Sequence, residues 1–126
     1  MLQRGDAVPH FEVSAPDGTA FRYSSIWQRK NLLLVVLPAI DPDSTAYISE
    51  VRARVAALAD QDLECIITRD PVPGVSGPAV VVADRWGEIA YSVAVPVVAE
   101  LPAPGELLEW VAYLNHRCPE CEGEAR

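Results

Sequence analysis

From residue 32 the chain reads Leu32-Leu33-Leu34-Val35-Val36-Leu37 with no polar interruption. A strand with one wet face alternates apolar and polar residues. An unbroken apolar run therefore predicts a strand covered on both faces, the central strand of its sheet. Asp41 follows as an N-cap and Pro42 as the first helical residue, where a missing N–H costs nothing. Together they open a helix predicted to run to about Ala59. Ile48, Val51, Val55 and Leu58 form its apolar stripe, and Glu50 and Arg54 pair four residues apart on the outer face.

Upstream, Phe11 to Ser14 and Ala20 to Tyr23 predict a hairpin around the turn signal Pro16-Asp17-Gly18. Downstream, Leu63 to Thr68 is a second apolar run. Pro71, Pro73, Gly74, Gly77 and Pro78 break the chain before a third strand, Ala79 to Ala83, and Asp84-Arg85-Trp86-Gly87 turns it into Glu88 to Ala94. After the irregular stretch marked by Pro96, Pro102 and Pro104, a last helix is predicted from about Gly105 to Arg117. Leu107, Leu108, Val111 and Leu114 face inward on it, with His116 and Arg117 near its negative end. The order β-β-β-α-β-β-β-α predicts an α/β fold: a mixed central sheet flanked by helices, with an N-terminal β-hairpin.

The length, 126 residues, suits one domain with a single core. A domain over 1–117 and an acidic, cysteine-containing tail over 118–126 are the expected division. Ten Lys+Arg against eighteen Asp+Glu give a net charge of −8. This balance argues against nucleic acid and anionic membrane surfaces as partners, since both demand excess positive charge. The longest apolar run, Leu32 to Ile40, falls well short of the ~20 residues that span a bilayer. The opening Met1 to Asp6 has no apolar stretch behind Arg4, so no secretory signal is expected. An odd cysteine count, three, points to a reducing, cytoplasmic setting.

Four motifs in order carry a resemblance: Gly5-Asp6-Ala7-Val8-Pro9-His10-Phe11, the Asp17-Gly18 turn, the Leu32 to Pro38 strand, and Gly77-Pro78 with the Val-rich strand running into Asp84-Arg85-Trp86-Gly87-Glu88-Ile89. Over roughly residues 5 to 117 the chain resembles the redoxin group of the thioredoxin fold, the alkyl hydroperoxide reductase, thiol-specific antioxidant and peroxiredoxin relatives. The resemblance implies that Pro78 is a cis-proline beside the active-site loop. It further implies a peroxidatic cysteine about seven residues past a proline, in the first turn of the helix after the central strand. Counted from Pro38, that position falls on Thr45, and Ala39 to Thr45 contains no cysteine. A threonine without a base does not replace a thiolate in attack on peroxide. The expected site is thus a loop contact surface at Asp41, Asp43, Thr45, Gly77 and Pro78, in a non-peroxidase binding or assembly module whose partner is a protein or a small ligand. Asp41 and Asp43 read as helix caps.

Cys65, inside an apolar segment, reads as a small buried hydrophobe. Cys118-Pro119-Glu120-Cys121, two residues after His116, supports two chemistries. As a dithiol, Cys118 and Cys121 would cycle to a disulfide in an atypical thiol–disulfide oxidoreductase, although the negative helix end and Glu120, Glu122 and Glu124 weaken both nucleophiles. As metal ligands, His116, Cys118 and Cys121 supply three of the four donors that structural zinc takes. His10, a partner protein or the second chain of a homodimer would complete such a site. His10 itself reads as a solvated imidazole at a strand edge. Trp86, in a polar turn, reads as an exposed contact residue.

Overall fold

The structure, a computed structural model, describes residues 1–116. Six strands and two helices follow the expected order: β1 (Glu12–Ser14), β2 (Ala20–Arg22), β3 (Asn31–Val36), α1 (Pro42–Leu58), β4 (Leu63–Thr68), β5 (Ala79–Ala83), β6 (Ile89–Ala94) and α2 (Pro104–His116). Short 3-10 turns at Tyr23–Ser25 and Val98–Glu100 join β2 to β3 and β6 to α2. The main sheet has the order β4-β3-β5-β6. β3 and β4 are parallel, which requires the α1 crossover, whereas β5 is antiparallel to both β3 and β6. The two strands of the hairpin form a separate sheet.

Every residue of β3 is buried, as the unbroken apolar run demands. On one face Leu33 and Val35 join Leu63, Ile67, Val80 and Val82 beneath Ile48 and Val51 of α1 and Leu107, Val111 and Leu114 of α2. On the other, Leu32, Leu34 and Val36 join Ile66, Val81 and Ile89 beneath Val8, Phe11, Val13, Tyr23 and Ile26. Both helices therefore cover the same face. The N-terminal thirty or so residues act as the second layer, and the hairpin is fixed to the end of β4 by two side chains. Thr68 Oγ1 donates to the Ser14 carbonyl at 2.7 Å, and the Ser14 N–H donates to Asp70 Oδ2 at 2.7 Å.

Two details of α1 correct the helical-wheel reading. Leu58, expected inward, is 39% exposed. Seven residues beyond Val51 it keeps the phase of the stripe, but it is the last residue of α1 and lines an open groove with Arg54, Gly105 and Leu108. The expected Glu50–Arg54 pair does not form, since the ion pairs among the described residues are Arg22–Glu12 and Lys30–Glu64. Arg54 lies instead beside Gly105 of α2. Among the described residues, no helix is long and apolar enough to cross a membrane.

Leu33→Ala, at a fully buried position on the helix-covered face, is expected to cost about 2–5 kcal/mol in urea unfolding. Leu58→Ala is expected to stay within about 0.5 kcal/mol of the parent.

Candidate functional site

The site builds from the C-terminal end of β3. Leu37 N–H donates to the Thr68 carbonyl at 2.9 Å, and the chain then leaves the sheet at Pro38. Asp41 is extended and caps α1: its Oδ1 accepts from Ser44 N–H at 2.8 Å, with Pro42 in the first turn. Thr45 N–H and Oγ1 both donate to the Asp41 carbonyl, each at 3.0 Å. The Gly77–Pro78 peptide bond is cis, as the resemblance implied. Glycine is required at 77 by close approach, because a Cβ there would lie 2.7 Å from Pro38 Cδ. Pro38 thus links the two halves of the predicted loop contact: Asp41, Asp43 and Thr45 on one helical turn, Gly77 and Pro78 across from it. The Pro78 carbonyl accepts from Val95 N–H at 3.0 Å, which brings the segment after β6 to the same pole.

This arrangement has little of the chemistry of a nucleophile. Thr45 is exposed, but its hydroxyl proton goes to a backbone carbonyl and not to a base. The positive end of α1 is already answered by the carboxylates of Asp41 and Asp43, which disfavour a further anion there. What the pole does offer is apolar surface: Ile40 is 77% exposed and Val97 52%. Beside it runs a cleft of about 280 Å³ between Asp43, Tyr47 and Glu50 of α1 and the Val98 to Pro104 segment. Tyr47 spans its base, donating to the Pro102 carbonyl at 2.7 Å, and burial pushes its hydroxyl pKa up.

Ser44 and Tyr47 were missed as buried residues, although the period marks them, each lying three or four residues from the Ile48–Val51 stripe. Ser44 Oγ is buried without a hydrogen-bond partner among the described residues. The clefts had no sequence signal, because each joins residues from distant segments.

Cys65 is half-buried, not fully buried as its apolar neighbours suggested. Its strand, β4, is the edge of the sheet, so one side opens on a cleft of about 350 Å³ between Asp17, Thr19 and Phe21 of the hairpin and Arg52, Val55 and Ala56 of α1. Burial pushes the thiol from its ordinary 9.0 up to about 12; Glu64 adds to the rise and Arg52 offsets part of it. At neutral pH Cys65 is a packed thiol and not a nucleophile.

Cys118 and Cys121, and with them the expected tail over 118–126, lie outside the described residues. His116 is the last residue of α2 and is exposed. Its neighbour Asn115 accepts from Asn31 Nδ2 at 3.1 Å and donates to Asp60 Oδ2. Since Asn31 begins β3, α2 ends at the opposite end of the sheet from Asp41 and Pro78. His10, considered as a completing zinc ligand, packs between the rings of Tyr23 and Trp27. Among the described residues, no group of three His, Cys, Asp or Glu side chains is arranged to hold a metal ion.

No protein-family model matches the chain, and no curated protein matches it in sequence. Its structure is similar to peroxidoxin BcpB from Mycobacterium tuberculosis (TM-score 0.66, 17% identity, 94% of this chain and 100% of that one). It is likewise similar to a thiol peroxidase from Chromobacterium violaceum (TM-score 0.66, 14% identity, 94% and 90%). A thiol:disulfide interchange protein of the thioredoxin family from Chlorobium tepidum superposes at TM-score 0.63, with 12% identity over 90% of this chain and 99% of that one. The fold is therefore thioredoxin-like, of the kind peroxiredoxins share.

Asp41→Ala removes the α1 cap and is expected to cost about 1 kcal/mol in urea unfolding. A second expectation concerns alkaline pH. The Cys65 thiol is neutral in the folded protein well past 9.0, where the unfolded thiol ionises, so its contribution is complete below pH 9 and lost as pH rises toward 12. Tyr23, raised by burial from 10.0 to about 12, adds to the fall from pH 10 upward. Urea midpoints measured across pH 8 to 12 should stay flat and then drop, and in Cys65→Ala the drop should begin later.

Proposed function

We propose that this thioredoxin-fold protein is a binding or assembly module that works through the pole formed by Asp41, Asp43, Thr45, Gly77 and Pro78, and that it is not a peroxidase. The observation that carries the reading is the start of α1. The turn that by resemblance would hold a peroxidatic thiolate holds Thr45 bonded to the Asp41 carbonyl, and the Asp41 carboxylate takes up the helix N–H of Ser44. Ile40 and Val97 supply the apolar contact area, and the acidic cleft beside Asp43 and Glu50 favours a ligand or protein segment of opposite charge. The odd cysteine count supports a reducing, cytoplasmic setting.

A second reading is an atypical thiol–disulfide oxidoreductase that cycles Cys118 and Cys121, and the thiol chemistry named for the structural neighbours favours it. The same pair with His116 forms the proposed zinc set. Such a zinc would be structural, fastening the tail to the domain.

Peroxide consumption and disulfide reduction, assayed with dithiol donors on the full chain and on Cys118→Ser, separate the readings. The binding module predicts background rates in both proteins. Turnover in the parent that disappears in Cys118→Ser would overturn it in favour of the oxidoreductase. Turnover that survives Cys118→Ser but not Thr45→Val would show catalysis at the pole itself.

A further inference from the structure

The cleft of about 350 Å³ between the hairpin and α1 holds an arrangement of charges that the fold does not use. Its two walls are set by backbone. The hairpin is tied to the sheet at its base, where Ser14 is bonded to Thr68 and Asp70. Toward the tip the turn is closed by its own bonds: Ala15 N–H donates to the Thr19 carbonyl at 2.8 Å, Gly18 N–H to the Ala15 carbonyl at 2.9 Å, and Thr19 N–H to Asp17 Oδ1 at 2.9 Å. The facing wall is the middle of α1, at Arg52 and Val55. A gap between a bonded turn and a helix interior is a product of where the elements lie, and its size is within the range of about 300–1,000 Å³ that small-molecule sites occupy.

Apolar side chains line the inner part. Ile67 is buried, with Phe21, Val55 and Cys65 half-buried around it, and a protonated thiol serves there as a soft apolar surface. The rim carries one charge of each sign, Arg52 on α1 and Asp17 on the hairpin, both exposed. The main-chain bond from Thr19 holds the Asp17 carboxyl below the usual carboxylate range, and the Arg52 charge lowers it further, so Asp17 is ionised at neutral pH. The two charges are near enough to feel each other, yet they are not among the ion pairs of the described residues. A cation and an anion on opposite walls above an apolar floor match a ligand that carries both charges at one end and an apolar branch at the other. An α-amino acid has this form: the guanidinium takes the carboxylate, the Asp17 carboxylate takes the ammonium, and the side chain covers the floor. A dianion such as phosphate would be repelled by Asp17, and a simple amine by Arg52.

We propose that the cleft between the hairpin and α1 binds a free α-amino acid with an apolar side chain, its carboxylate on Arg52 and its ammonium on Asp17. The site is separate from the pole at Asp41 and Pro78 and does not depend on the function proposed there. Isotope-labelled full chain, titrated with L-leucine, L-phenylalanine, N-acetyl-L-leucine and L-leucinamide and followed by amide chemical shifts, tests it. The expected result is saturable shifts at Thr19, Ala56 and Cys65 with leucine or phenylalanine. The acetylated and amidated forms, each lacking one charge, should bind about tenfold more weakly or worse, the loss of one charge-assisted hydrogen bond. Arg52→Gln and Asp17→Asn should weaken leucine to the same degree. Both side chains are exposed, so the variants keep the core, and unchanged shifts elsewhere in the spectrum verify it. Shifts that do not saturate at millimolar leucine or phenylalanine would overturn the proposal, as would leucine binding that survives Arg52→Gln. N-acetyl-L-leucine bound as tightly as leucine would also overturn it and assign the cleft to plain carboxylates.

Discussion

The structure depends on one strand that tolerates no water. β3 is apolar at nearly every position, and leaving either of its faces exposed would forfeit the burial of two or three large side chains, each worth about 1.5–3 kcal/mol. Cover on one face comes from α1 and α2, whose stripes match the 3.6-residue period. Cover on the other comes from a segment with little regular structure, in which Val8, Phe11, Val13, Tyr23 and Ile26 are set by two short strands and a 3-10 turn. Phe11 and Tyr23 stack there with their rings 5.4 Å apart, so aromatic area does the work that a helix does on the opposite face.

From that strand the two ends of the molecule acquire different characters. At the carboxyl end of β3 the chain must turn at Pro38, start α1 and pass against Gly77, which packs so closely that no side chain fits between. The helix end there is neutralised from within, by Asp41. At the opposite end the loops carry indoles and guanidiniums, and α2 terminates. The thiol the domain does hold, Cys65, lies between these ends on an edge strand, where burial keeps it protonated.

Much of this was legible in the sequence because it is encoded locally. The Leu32–Leu37 run, the Asp41-Pro42 start and the Pro-Gly punctuation each fix an element without reference to the rest of the chain, and the cis Gly77–Pro78 bond followed from resemblance. What escaped depends on how elements meet. Leu58 faces a groove because α2 happens to lie beside its turn, Arg54 is drawn to Gly105 and not to Glu50, and Cys65 is partly open because β4 proved to be an edge. Which face the helices would share is likewise a property of the assembled sheet.

The first residues of the chain are fastened to the last strand. Gly5 N–H donates to the Ile89 carbonyl, Ile89 N–H to the Asp6 carbonyl, and Ser92 Oγ to the Leu2 carbonyl. During synthesis the N-terminal segment therefore emerges long before its last partner exists, since Leu2 and Ser92 are ninety residues apart in the chain. The second layer can pack on β3 before β6 exists, but the first residues are fastened only by a long-range contact that the ribosome delivers late.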